Sequence, residues 1–166
     1  MKRTEFLQKY AHPGRLLDLG CGSMFLSSNL KGDFELYPAD IKRYCYENFT
    51  QCDACGVPFS DFSFDTVFAG ELIEHMCNPG LLLAEINRVL RVGGRAIITT
   101  PNVYALELIK KHYLGRRSLG DSAHIILFSW SSLEALFNKY SFEVVAGGYK
   151  SLPRLGTHVM ICGAKC

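Results

Sequence analysis

Four acidic residues and a close pair of glycines are the groups whose type and spacing suit this sequence for chemistry. The apolar run Leu16-Leu17 leads through Asp18 and Leu19 directly into Gly20-Cys21-Gly22-Ser23. A buried strand that stops at a glycine turn leaves backbone N–H groups exposed. Open α/β sheets bind their ligands at that place, outside the carboxyl ends of the strands. Asp40 closes the next apolar stretch, Asp53 the one after it, and Glu71 follows Phe64–Gly70, so four carboxylates would ring one crevice. Such a ring opposes a pyrophosphate and suits a ligand with positive charge.

Asp40 lies twenty residues beyond Gly20, the usual distance for a carboxylate that accepts hydrogen bonds from ribose hydroxyls. A nicotinamide dinucleotide would use that carboxylate too. It would also want glycine at position 25, where Phe25 stands, and would bring a diphosphate close to Asp18. A sulfonium nucleoside with an amino-acid tail has no phosphate and carries positive charge, so it fits the acidic crevice better. For two of the carboxylates a purely local role stays open: Asp18 capping the following helix, and Asp53 closing a turn.

The elements that must position these groups follow from periodicity and punctuation. Residues 4–10 carry Phe6, Leu7 and Tyr10 at helical spacing, and His12-Pro13-Gly14 ends that helix before a strand over Arg15–Leu19. Ser23 is placed to cap a helix running to about Lys31, with Phe25, Leu26 and Leu30 on one face and Gly32 as its stop. Phe34–Ala39 reads as a second strand closing on Asp40, with Pro38 removing one ladder donor. The ten residues between Asp40 and Gln51 are too few for a crossover helix with its loops. An irregular link or a single turn about Arg43–Glu47 is expected there, then a short strand over Phe49–Cys52.

Phe64–Gly70 reads as a fourth strand. Asn78 as N-cap and Pro79 at the first helical position open a helix whose apolar face is Leu82, Leu83, Ile86, Val89 and Leu90, with Gly93-Gly94 as its end. Arg95–Thr99 is a buried fifth strand closed by Pro101-Asn102. Val103–Tyr113 is compatible with helix, and Gly115–Asp121 is polar. Ser131 with Glu134 forms a capping box before the stripe Leu133, Leu136, Phe137 and Tyr140. Phe142–Ala146 and His158–Gly163 form a closing pair with no helix between them, hence antiparallel. Alternating strands and helices give one α/β domain over residues 1–166 with a mostly parallel sheet.

Bulk properties narrow the class. A chain of 166 residues with 48% hydrophobic content folds around one core, and a net charge of +2 is too mild for a nucleic-acid face. No apolar run approaches the roughly 20 residues that span a bilayer. Met1–Glu5 lacks the apolar core of a signal peptide, so a cytoplasmic protein is expected. Seven scattered cysteines read as reduced, buried or half-buried thiols. Cys52-Asp53-Ala54-Cys55 lacks the second ligand pair of a zinc site, so no metal is expected.

Taken in order, these marks resemble the class I S-adenosylmethionine-dependent methyltransferases, closest to the methyltransferase type 11 group. The likeness rests on Leu17-Asp18-Leu19-Gly20-Cys21-Gly22, Asp53-Ala54 with Val57-Pro58-Phe59, Ser63-Phe64-Asp65, Glu71-Leu72-Ile73-Glu74-His75, Arg88–Gly94 and Thr100-Pro101-Asn102. It runs from Arg15 to Asn102 and more weakly to the C-terminus. The resemblance implies a Rossmann-like doubly wound sheet of seven strands with an antiparallel C-terminal strand, and S-adenosyl-L-methionine as cofactor.

The resemblance also implies roles. Asp18 with Gly20, Cys21 and Gly22 would hold the methionine end of the cofactor. Asp40 and Ile41 would meet the ribose, and Asp53 and Ala54 the adenine. Gly70 and Glu71 would border the methyl region. His75, in its Glu-His pair, and His124, ahead of Phe128-Ser129, are the candidates for a general base. His12, His112 and His158 are assigned to structure or surface. The segment 103–128 is expected to act as a lid over a small-molecule acceptor. There Lys110, Lys111, Arg116 and Arg117 would either engage an anionic acceptor or form a solvated face. Tyr104, Tyr113 and Trp130 would line the acceptor pocket or fill the core. The family usually has a third glycine where this chain has Met24. A cofactor-binding, partner-supporting protein without catalysis is the alternative, and a monomer or homodimer is expected, with no nucleic acid and no membrane insertion.

Overall fold

The computed structural model describes residues 2–105, 124–149 and 158–166. Strands β1 (Gly14–Leu19), β2 (Phe34–Asp40), β3 (Thr50–Gln51), β4 (Phe64–Gly70), β5 (Leu90–Pro101), β6 (Phe142–Tyr149) and β7 (His158–Lys165) form one sheet in the order β3-β2-β1-β4-β5-β7-β6. The pairs from β3 to β5 are parallel, and β7 runs against both β5 and β6. This is the doubly wound, mostly parallel α/β sheet with an antiparallel C-terminal strand that the sequence implies.

Side-chain alternation divides the core between the two faces. Leu17, Leu19, Val67, Ala69, Ala96, Ile98, Val159 and Ile161 face one way, against helix α2 (Pro79–Val89) and helix α3 (Trp130–Lys139). Their neighbours Leu16, Phe68, Ile97, Met160 and Cys162 face the other way, against Phe6 and Leu7 of helix α1 (Arg3–Tyr10). Period-two alternation with both parities apolar is the mark of a sheet covered on both sides. Asp18 shares the parity of Leu16 and therefore lies on the α1 side.

The local signals at Asn78, Pro38 and the link after β2 are obeyed. Asn78 Oδ1 accepts from Gly80 N at 3.1 Å and Leu81 N at 3.3 Å, with Pro79 at the first position. Pro38 is tolerated because β3 pairs only with Ala39 and Asp40, leaving the outer edge of residues 34–38 without a ladder among the described residues. The link between β2 and β3 is irregular and carries no helix, as its length requires.

Four expectations fail. The helix from Ser23 to Lys31 does not form, and only a 3-10 turn, Ser27–Asn29, stands there. Met24 has φ +54°, which no continuing helix accepts. Ser28 Oγ then bonds Met24 O at 2.7 Å and Asn29 Nδ2 bonds Phe25 O at 2.6 Å, side-chain bonds that compete with the helical ladder. Phe25, placed on an apolar face by spacing alone, is 69% exposed. Second, Gly93-Gly94 do not follow a helical tail. Helix α2 ends at Val89 and β5 starts at Leu90, with the glycines inside an irregularity where β5 advances from Leu90 to Arg95 while β4 advances from Phe64 to Thr66. Third, α3 is capped by Ser129, which exchanges bonds with Ser132, two residues before the expected box. Fourth, three of the free cysteines, Cys45, Cys77 and Cys166, are exposed. Among the described residues no helix is long and apolar enough to cross a membrane. Within the expected lid, residues 106–123, with Lys110, Lys111, His112, Tyr113, Arg116 and Arg117, lie outside the described residues.

Candidate functional site

The carboxyl ends of β1, β2, β3 and β4 open on one edge of the sheet, where a cleft of about 680 Å³ meets a smaller pocket of about 240 Å³. The glycine turn separates them. Gly20 and Cys21 donate their N–H groups to Ala39 O at 2.8 and 3.1 Å, which ties the turn to β2. Gly20 has φ +72°, and a Cβ there would lie 2.9 Å from Leu72 Cδ1. A Cβ on Gly22, at φ +46°, would meet nothing within 4 Å among the described residues, so its backbone is open to close approach there.

Asp40 is already partnered. Its Oδ2 accepts from Gly22 N at 3.0 Å and its Oδ1 from Lys42 N at 2.9 Å, so this carboxylate fastens the glycine turn to the end of β2. Tyr46, from the irregular link, donates to Gly22 O at 3.0 Å. Asp53 Oδ1 accepts from Cys55 N at 2.8 Å and so closes its own turn. Both carboxylates line the larger cleft beside Ile41, Ala54, Leu72 and Leu81. The chain carrying Asp53 is held against α2 by Val57 N on Glu85 Oε1 at 2.9 Å and by Arg88 on Val57 O at 3.0 Å.

The smaller pocket carries opposed charges. Asp18 is 3% exposed and accepts from the Ser27 hydroxyl. Burial pushes its carboxyl up to about 6, opposed by the Ser27 bond and aided by the Asp40 charge. Cys21, beside these two carboxylates, is held as a thiol, pushed up to about 12 first by burial. Across the pocket Arg3 Nη1 lies 3.2 Å from Glu71 Oε1, and His158 Nε2 lies 3.1 Å from Glu71 Oε2. Glu71 also accepts from Thr99 Oγ1 at 3.0 Å. Burial raises its carboxyl, but the His158 bond and charge, Arg3 and Thr99 outweigh it and hold the group below its ordinary value. Gly70 borders the same pocket, and a Cβ on it would lie 2.5 Å from Phe68 Cζ.

His75 and His124, forty-nine positions apart, come together with ring centroids 4.9 Å apart. The positioning is backbone work: Glu74 O accepts from both Ile125 N at 2.8 Å and Ile126 N at 3.1 Å, while Val103 N donates to Phe128 O at 3.0 Å. His75 lines the large cleft. His12 is structural, as expected, accepting from Arg95 Nε at 3.0 Å. His158, assigned to structure or surface, instead touches Glu71 at the pocket. Sequence reasoning also missed Arg3, Tyr46 and Ser27, which carry no local signal because each reaches its partner across the fold.

Met24 stands in the smaller pocket at φ +54°, where glycine is strain-free and an ordinary side chain costs about 1–2 kcal/mol. Met24→Gly is therefore expected to be neutral to stabilising. The gain is at most about 1 kcal/mol after the extra entropy of the unfolded glycine. A urea midpoint that falls would show that the Met24 side chain packs more usefully than its backbone strains.

A methyltransferase-domain family model matches residues 17–98. The ubiquinone/menaquinone biosynthesis C-methyltransferase UbiE of Desulfotalea psychrophila is 32% identical, over 87% of this chain and 67% of that protein. A malonyl-[acyl-carrier protein] O-methyltransferase of Legionella pneumophila is 32% identical over 53% of this chain, which spans 36% of that relative's length. Among solved structures, a SAM-dependent methyltransferase of Thermotoga maritima superposes with a TM-score of 0.78 at 21% identity, covering 98% of this chain and 87% of that one.

Proposed function

The chain belongs to the class I S-adenosylmethionine-dependent methyltransferases, and from that membership we propose that it transfers a methyl group from S-adenosylmethionine to a small-molecule acceptor with an O-, N- or C-nucleophile. The observation that carries the reading is the charge pattern around the open glycine turn. A pocket with Asp18 and Glu71 facing Arg3 suits the ammonium and carboxylate of an amino-acid tail. The cleft with Asp40 and Asp53 among apolar side chains suits a nucleoside without phosphate.

In this reading Asp18, Gly20, Cys21 and Gly22 hold the methionine end, with Arg3 on its carboxylate. Asp40 and Ile41 take the ribose, Asp53 and Ala54 the adenine, and Gly70 and Glu71 border the methyl region. Each of Asp40 and Asp53 keeps acceptor capacity beyond its backbone bonds, since an ionised carboxylate offers about four lone-pair positions. When bound, the cofactor supplies a methyl carbon already activated by its sulfonium. What remains for the chain is to align the acceptor and exclude water, effects that reach about 7–11 kcal/mol in well-oriented reactions. His75, on the cleft wall, and His124 beside it are the groups that could take a proton from the acceptor. Such transfer contributes about 10²–10⁴-fold. The reading carries with it a cytoplasmic enzyme working as a monomer or homodimer.

Calorimetry of the full chain with S-adenosylmethionine, S-adenosylhomocysteine and NADH tests it. Both sulfur nucleosides are expected to bind and NADH not to. Silence from both sulfur nucleosides at millimolar concentration would sink the reading. A second reading, a partner-supporting protein that binds the cofactor without catalysis, is favoured by Met24 in the methionine pocket. Binding without transfer of a labelled methyl group to any acceptor in a broad screen would select it.

A further inference from the structure

Glu74, His75 and His124 each present a ligand atom, and these atoms all lie within 4.8 Å of one another. Within these residues Glu74 Oε1 and His124 Nδ1 are buried and have no hydrogen-bond partner among the described residues. Glu74 itself is 0% exposed. A buried polar atom left unpaired costs about 1–3 kcal/mol. Two such atoms beside a second imidazole point to a species that binds all three.

The surroundings are built to hold the cluster. Thr100 Oγ1 donates to Glu74 Oε2 at 2.9 Å, which restrains the carboxylate and leaves Oε1 without a bond among the described residues. The two N–H bonds from Ile125 and Ile126 to Glu74 O lock the segment that carries His124. Hydrogen bonds of this kind, made to the ligands and not to the ion, orient metal ligands and are a large part of a site's affinity.

We propose that Glu74, His75 and His124 form a binding site for a divalent first-row transition metal, whose open positions face the large cleft and receive an oxygen of the methyl acceptor. Two imidazoles and one carboxylate are the donor set for Mn²⁺, Fe²⁺, Co²⁺ or Zn²⁺, and imidazole is a poor partner for Mg²⁺ or Ca²⁺. Its three ligands do not include the cysteines, on which the expectation of no metal was based. The assignment of the acceptor rests on the methyltransferase reading and deepens it. A divalent ion lowers the pKa of a bound hydroxyl, whose proton passes to water, so the acceptor class is an alcohol, phenol or enol and not an amine. His75 and His124 then act as ligands and not as general bases.

Mn²⁺ is the suitable probe, because the thiols of Cys52, Cys55 and Cys77 on the cleft wall compete for softer ions. The full chain, stripped with chelator, is titrated with MnCl₂ near neutral pH and followed by loss of the free-ion electron-spin-resonance signal. One Mn²⁺ per chain is expected. His124→Ala should weaken it by about tenfold or more, as should Glu74→Gln, and Cys55→Ser should leave it unchanged. Absence of binding at millimolar ion, or an affinity indifferent to His124→Ala in a variant whose circular dichroism is native, overturns the site. Because Glu74 is buried, His124→Ala decides the matter if Glu74→Gln does not fold. Nucleoside calorimetry on the same sample keeps the two readings apart. Nucleoside binding without Mn²⁺ removes the metal site alone. Mn²⁺ binding without nucleoside upholds the site and removes the proposed methyl transfer.

Discussion

Asp40→Ala is expected to weaken S-adenosylmethionine binding by about 1.5–3 kcal/mol, the range for a hydrogen bond to a charged group. In calorimetry this reads as an affinity loss of about 10- to 150-fold. Two effects combine. The substitution removes the acceptor proposed for the ribose, and it also frees Gly22 N and Lys42 N, which the carboxylate holds at 3.0 and 2.9 Å. Asp40→Asn separates them, since its amide oxygen still accepts one backbone N–H while the charge is lost. An affinity unchanged in both variants would take Asp40 out of the site. A loss confined to Asp40→Ala would assign the carboxylate to holding the turn.

The second large effect concerns Asp18, and its sign changes with the measurement. Burial first, opposed by Ser27 and aided by Asp40, raises this carboxyl from 3.8 to about 6 in the folded protein. Below about pH 4 both folded and unfolded chains carry the proton. From there to about pH 6 only the folded chain keeps it, so stability falls as pH rises through that window and stays lowered above it. That rise corresponds to about 3 kcal/mol at most. Asp18→Asn keeps the shape without the charge, so it should raise the unfolding free energy by about 2 kcal/mol near pH 8 and leave it nearly unchanged near pH 4. Urea denaturation at the two pH values measures this. Cofactor binding should move the opposite way. A cationic tail prefers ionised Asp18, so affinity should fall as pH drops below about 6 in the parent and be weak and flat in Asp18→Asn. A variant no more stable than the parent near pH 8 would show that the buried carboxylate is better solvated than its 3% exposure suggests.

Such an arrangement, unfavourable in the empty fold and relieved by a cation, is common where a site is held ready for its ligand at some cost in stability. In the proposed reading it gives Asp18 a function that a helix cap would not. Ser27, the group that bonds it, comes from the 3-10 turn that replaces the expected helix. The failure of that helix is thus part of the pocket.

The amino-acid sequence by itself determined what depends on neighbours a few positions apart. A short apolar stretch after a turn marked β4 at its full extent, Phe64–Gly70, and Asn78-Pro79 marked the start of α2, because turn and capping signals act within one element. Strand ends closing on Asp18, Asp40, Asp53 and Glu71 marked the crevice, and the four carboxylates do line its two adjoining pockets. Only the tertiary structure decided how those carboxylates are used. Asp40 and Asp53 turned out to hold backbone N–H groups, and Glu71 to meet Arg3 and His158. It also decided that His75 and His124 meet, 4.9 Å apart. The reason is strand order: β4 and β5 are parallel neighbours, so the loops leaving their carboxyl ends converge although the chain between them is long. At Ser23–Lys31 apolar spacing suggested a helix, and the left-handed backbone of Met24 overruled it.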